Sequence, residues 1–243
     1  MNRLTACINF QMKSMVRSSV IFLIIYFAAS VALLSMFILS LGNGSGGSFT
    51  SGLYIGGGIF IFVYVIAAYK EMFNYLLMFG NTRKNILLSS IITSAVMSVF
   101  FSVISTLVTL AEEAVSKVFG LGRPDSISLL NLIYKDTGLF SESLWLAAFF
   151  FLICSFSLLY SALAYKLGNV FITLFWVCFG LAFIGLPALI DMNTFKVIAK
   201  AITSFFRVGA EHGILLAPIN FIAASVILSI AAYLASRRQP QAS

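Results

Sequence analysis

Five uninterrupted apolar runs constrain this chain more than anything else in it: Val20–Leu41, Ile86–Leu110, Leu144–Tyr165, Val170–Ile190 and Ile214–Ala235. A hydrocarbon core about 30 Å thick needs roughly 20 apolar residues of helix, and each run supplies them. A sixth, Tyr54–Ala68, is shorter before it meets Lys70 and Glu71. It spans if Phe49 and Gly52 lie in the interface and the helix continues past Tyr69. Lipid cannot satisfy an open backbone, so the spans are helices. Barrel strands would be about ten residues long with alternating polarity, which these runs are not. The expected fold is an all-α membrane protein with six transmembrane helices.

Composition agrees. Hydrophobic residues make up 60% of the 243, charged residues only 9%, and mean hydropathy is +1.04. So few charges cannot cover the surface of a soluble globule. A net charge of +7 would elsewhere suggest nucleic acid, but here the basic residues flank the apolar runs. No soluble stretch is long enough to fold alone, so residues 1–243 read as one transmembrane domain.

Residues 1–18 are too polar for a cleaved signal, and the apolar run after them is too long for one. Leu4, Ile8, Met12 and Met15 recur at helical spacing, with Arg3, Lys13 and Arg17 elsewhere on the helix. This predicts an interfacial helix, the alternative being a basic tail. Residues 19–110 then hold spans one to three, 111–143 an outer loop, and 144–243 spans four to six.

Basic residues set the orientation. With both termini cytoplasmic, the inner segments carry Arg3, Lys13, Arg17, Lys70, Arg83, Lys84, Lys166, Arg237 and Arg238. The longer outer segments carry Lys117, Arg123, Lys135, Lys196, Lys200 and Arg207. The inner density is about twice the outer, as the positive-inside rule requires.

The loops differ in kind. Gly42–Leu53 is an uncharged Gly/Ser stretch, and Gly56, Gly57 and Gly58 then open the second span, permitting a close helix contact or a weakly formed helix end. In the second outer loop Pro124-Asp125-Ser126 predicts the start of a short surface helix through Leu129, Leu130, Leu132 and Ile133. In the third, Phe195, Ile198, Ile202 and Phe205 predict an amphipathic helix on the outer leaflet.

The inner segment Tyr69–Asn85 is the most informative. Gly80 can stop a helix there and Thr82 can cap the next. Phe73, Tyr75 and Phe79 exceed what a solvated loop needs. They form a docking surface for a partner, or an aromatic belt on the headgroups. Arg83 and Lys84 sit at the interface.

Several chemistries have no residues to carry them. There is no G-x-x-x-x-G-K-[ST] loop, so the chain does not hold ATP that way. His212 is the only His, and Cys7, Cys154 and Cys178 suggest neither a disulfide framework nor a metal site. A rhomboid-like protease would need G-x-S-G, but Ser45 follows Asn43-Gly44. Glu112-Glu113 with Lys117 faintly resembles the E-E-x-x-x-R motif of CAAX-type proteases, which also need two His. Charges within the spans are nearly absent, which argues against a proton-coupled carrier.

The basic N-terminal helix, the six spans, the stretch Gly80-Asn-Thr-Arg-Lys-Asn85 between spans two and three, and the amphipathic stretch between spans five and six resemble an ABC-2 type permease. The resemblance covers the whole chain as architecture, with its sequence signal on Gly80, Thr82, Arg83 and Lys84. It implies that residues 1–18 are an elbow helix and that residues 71–79 are a coupling helix, with Glu71, Phe73, Tyr75, Phe79, Arg83 and Lys84 meeting a separate cytoplasmic ATPase. It also implies a re-entrant stretch between spans five and six, a second permease copy or related chain, and no catalysis by this chain. ATP and magnesium would be bound by the partner. Small exporters of antimicrobial or cytolytic peptides are similar in size. The implied function is outward movement of an amphipathic or hydrophobic substrate by alternating access at the cell membrane. Rival readings are the substrate-binding subunit of a vitamin-uptake system and a six-span channel or scaffold. In a cysteine-free background, Ser45→Cys and Arg238→Cys should react with an impermeant thiol reagent from opposite sides. Labelling from one side would eliminate the even-span topology.

Overall fold

The computed structural model describes residues 3–41, 52–118, 138–180, 204 and 213–237. The described elements are helices: α1 Arg3–Leu41, α2 Leu53–Met78, α3 Arg83–Val118, α4 Leu139–Leu167, α5 Asn169–Gly180 and α6 Gly213–Arg237. Five of them (all but α5) contain stretches long and apolar enough to cross a membrane; α5 is a shorter apolar helix. The large apolar side chains left outside the packing, such as Ile24, Ile25, Val99, Leu107 and Ile227, have lipid as their natural solvent.

Cross-helix contacts give the directions. Gln11 of α1 meets Ser90 and Thr93 of α3, and further along Phe22 meets Phe101, so α1 and α3 are parallel. Phe10 meets Tyr75 and Phe22 meets Phe60, so α1 and α2 are antiparallel. On α4, Trp145 contacts Phe221 while Ser155 accepts from Ser229, so α4 and α6 run the same way. After the turn at Gly168, α5 runs back along α4, with Phe171 against Tyr160 and Phe175 against Phe156. The beginning of α1, the α2–α3 turn and the end of α6 meet at one end, here called the basic end.

The core lies around α4, which packs on α6, α3, α2 and α5. Its buried stripe recurs every fourth residue: Glu142, Leu146, Phe150, Cys154, Leu158 and Ala162. Facing it, α3 buries a run of small hydroxyl residues, among them Ser94, Ser98, Ser102 and Ser105. Small side chains let helices approach closely where no hydrophobic force separates protein from lipid. Several bond back onto their own helix, as Ser98 Oγ does to Ser94 O at 3.0 Å and Thr106 Oγ1 to Ser102 O at 3.1 Å. That satisfies the hydroxyl without a partner helix.

Two sequence expectations fail through continuity. No break separates residues 1–18 from the first span; α1 runs unbroken through them, because nothing between Arg3 and Leu41 is Gly or Pro. The face it buries is Cys7, Gln11, Met15 and Ser19, against α3, rather than the stripe through Leu4, Ile8 and Met12. Nor is there a separate coupling helix at 71–79. Residues 71–78 are the last part of α2 and Phe79 is its C-cap, because no Gly or Pro lies between Gly58 and Gly80. The outer-loop boundaries shift too: α3 carries Glu112 and Glu113 to Val118, and α4 starts at Leu139. The helices expected near Pro124 and at 195–205, and the second half of the fifth span, lie outside the described residues, apart from Ser204.

The triple glycine is a packing device. A Cβ on Gly56 would meet the Tyr26 ring at 3.6 Å, on Gly57 the Phe101 ring at 3.4 Å, and on Gly58 the Ile153 methyl at 3.3 Å. Three consecutive positions thus seat α2 against α1, α3 and α4 in turn. Gly56→Ala should be neutral or stabilising by up to about 1 kcal/mol, since it only removes helix-interior glycine. Gly57→Val should cost about 1–3 kcal/mol by overpacking. Thermal unfolding of the two variants in detergent measures the contrast.

Candidate docking surface and buried polar clusters

The α2–α3 turn is built from its local sequence. Gly80 takes φ +71°, a left-handed conformation open to glycine, and closes a Schellman motif: Gly80 N–H donates to Leu77 O at 2.9 Å and Asn81 N–H to Leu76 O at 3.2 Å. Thr82 Oγ1 then accepts from Asn85 N–H at 3.3 Å, capping α3. Both roles agree with the sequence expectation. Two arginines tie this turn to other helix ends. Arg3 Nη1 donates to Gly80 O at 3.2 Å, and Arg83 Nη1 to Arg237 O at 3.2 Å. A guanidinium on the last carbonyls of α6 also complements that helix's dipole.

The expected coupling residues separate onto two faces. Tyr69, Phe73 and Leu76 continue the buried stripe Ile61–Val65 at helical spacing. Phe73 is only 2% exposed, stacked on Tyr69 with ring centroids 5.5 Å apart and packed on Tyr165 at 5.7 Å. Its ring is core and is not available to a partner. Glu71, Tyr75, Met78 and Phe79 fall at i, i+4, i+7 and i+8, and all are exposed. Tyr75 stacks on Phe10 of α1 at 5.0 Å and meets Phe79 at 4.7 Å. Phe10 is the member of this surface that the sequence reading missed. Lys84 is exposed beside the turn, whereas Arg83 is half-buried and braces α6.

Two polar clusters lie inside the bundle. Toward the basic end, Gln11, 3% exposed, donates from Nε2 to Ser90 Oγ at 3.1 Å and accepts at Oε1 from Thr93 at 3.4 Å. It lines a cavity of about 40 Å³ with Tyr64, Tyr69 and Ser94, polar and roomy enough for a water.

Toward the far end, Tyr54 OH donates to Glu142 Oε1 at 3.2 Å and shares a hydrogen bond with Thr109 Oγ1. Glu142 is 4% exposed and lies inside the membrane-length helix α4. By sequence alone Glu142 belongs to the outer loop, and the spans are nearly free of charge. The signal available was phase: Glu142 precedes Leu146, Phe150 and Cys154 by whole steps of four. A carboxylate in this setting is held by fixed donors rather than by water.

The fold and these sites define a multi-pass helical membrane protein. No family model, curated protein or solved structure matches the chain.

Tyr54→Phe should destabilise the protein by about 1–3 kcal/mol, because it strips a donor from a buried carboxylate. Combined with Glu142→Gln, the two changes should be non-additive by more than about 0.5 kcal/mol. Strict additivity in a thermal-unfolding cycle would show that the two side chains do not support one another.

Proposed function

We propose that this chain is the membrane-spanning permease subunit of an ATP-driven transporter, coupled to a separate cytoplasmic ATPase through the exposed tip of α2. The observation that carries the reading is the face Glu71, Tyr75, Met78 and Phe79, joined by Phe10, at the end that gathers Arg3, Arg83, Lys84 and Arg237. The positive-inside rule puts that basic end in the cytoplasm. Aromatic side chains clustered on a projecting helix end are the usual anchors of a protein interface. The six spans of this reading are the five long helices plus the crossing that α5 begins.

The continuity of α2 supports transmission. Its 26 residues rise about 39 Å, beyond the roughly 30 Å hydrocarbon core. A push at Tyr75 or Phe79 therefore reaches Ile61 and Gly57 through one rigid rod, with no hinge between. ATP and magnesium belong to the ATPase. This chain switches which side its path faces, and a second permease copy completes that path for an amphipathic or hydrophobic substrate. A carrier that couples to protons or cations is the second reading, favoured by the buried carboxylate of Glu142.

The Tyr75→Ala/Phe79→Ala double variant should insert normally yet lose its ATPase on co-purification, each anchor being worth about 2 kcal/mol or more. Glu71→Gln should weaken the complex by about 1 kcal/mol or less. Phe73→Ala should instead lower stability by about 3–5 kcal/mol, because it empties a core site. If the double variant keeps a bound ATPase and transports at the wild-type rate, the face has another role and the permease reading loses its support.

A further inference from the structure

Among the described residues, α2 and α5 stand apart over α4 and α6. A groove of about 1270 Å³ runs there, walled by apolar side chains such as Ile59, Phe62, Val63, Phe156 and Trp176. Toward the basic end it shares Ile66 and Trp176 with a second pocket of about 580 Å³. That pocket is apolar over most of its wall, and Lys70, Asn74, Ser161, Tyr165 and Asn169 are the residues that bring polar groups to it.

We propose that this composite groove holds an anionic phospholipid, its phosphate beside Lys70 and Asn74 and its acyl chains along Ile66, Phe62 and Ile59. Charge is the first argument. Lys70 is exposed in the second pocket, and Lys166 is exposed beside the α4–α5 turn at the same end. Glu71, the neighbouring acid, sits about 100° round α2 with Tyr75, on the other face. Asn74 Oδ1 already accepts from Tyr165 OH at 2.8 Å, so its amide hydrogens are what it offers a ligand. Length is the second argument. From Ile66 to Ile55, both on the wall, α2 rises about 16 Å. That is about half of a 30 Å hydrocarbon core, the depth of one leaflet's chains. The second pocket sits at the matching depth for a headgroup of the leaflet at the basic end. A free inorganic anion would use the pocket and leave the apolar wall empty, whereas a zwitterionic lipid would fill the wall without needing the lysine. The site requires no ATPase, so its fate is independent of the transporter reading.

The test uses the full chain in nanodiscs of equimolar phosphatidylglycerol and phosphatidylcholine with identical acyl chains, extracted into mild detergent. Native mass spectrometry then counts the retained lipids. Phosphatidylglycerol should be retained about fivefold over phosphatidylcholine, the ratio expected from one basic side chain at a membrane surface. Lys70→Gln should abolish the preference, and Lys13→Gln, an exposed cation outside the groove, should leave it intact. Val63→Trp, which fills the apolar wall, should lower retention of both lipids. Added inorganic phosphate should not compete. Equal retention of the two lipids by the wild type, a preference that survives Lys70→Gln, an equal loss in Lys13→Gln, or displacement by phosphate would each overturn the assignment.

Discussion

Hydrocarbon offers a peptide group no hydrogen-bond partner, and the rest of this structure follows from that. Once every span is a helix, apolar burial cannot hold the spans together, because lipid is as apolar as leucine. Cohesion must come from close fit and from the few polar groups turned inward. The four-residue stripe of α4 meets small hydroxyl residues on α3, and three glycines of α2 press against three different neighbours. Several of the larger enclosed polar side chains are joined across helices: Gln11 to Ser90 and Thr93, Tyr54 to Thr109 and Glu142, and Tyr165 to Asn74. An interhelical hydrogen bond of this kind is worth on the order of 0.6 kcal/mol, so specificity of register is their larger contribution.

The same stripes divide the tip of α2 into two functions. The side carrying Tyr69, Phe73 and Leu76 extends the core past the last long apolar run, which keeps the tip straight and rigid. The side carrying Glu71, Tyr75, Met78 and Phe79 is left outward. An exposed cluster of this size would be a liability on a soluble protein. At the end of a helix stiffened by its own buried half, it is a defined contact surface.

Most of the architecture was legible because hydropathy is a property of windows, and windows of about 20 residues are hard to mistake. The helix stop at Gly80 and the cap at Thr82 were legible because each rests on a local conformation that few other residues adopt. What escaped was phase. Phe73 and Tyr75 differ by two residues, about 200° round a helix, and composition treats them alike. By sequence Glu142 belongs to a loop, because its charge outweighs its place in a four-residue repeat. Phe10 was missed because its partner, Tyr75, is remote in sequence. The continuity of α1 and α2 was hidden by polarity: Arg17-Ser18-Ser19 and Lys70-Glu71 mark where a helix changes solvent, and a change of solvent does not end a helix.

The two arginine ties at the basic end impose an order on biosynthesis. Arg3 reaches Gly80, 77 positions downstream, and Arg83 reaches Arg237, 154 positions downstream. A ribosome has long since released α1 and the α2–α3 turn into the membrane before α6 exists to receive the second guanidinium. During that interval the turn is anchored on one side only, and the contact face beside it lacks its final brace. The surface of α2 thus becomes fully braced only when α6 is in place, so a nascent chain that still lacks α6 carries that surface short of one tie.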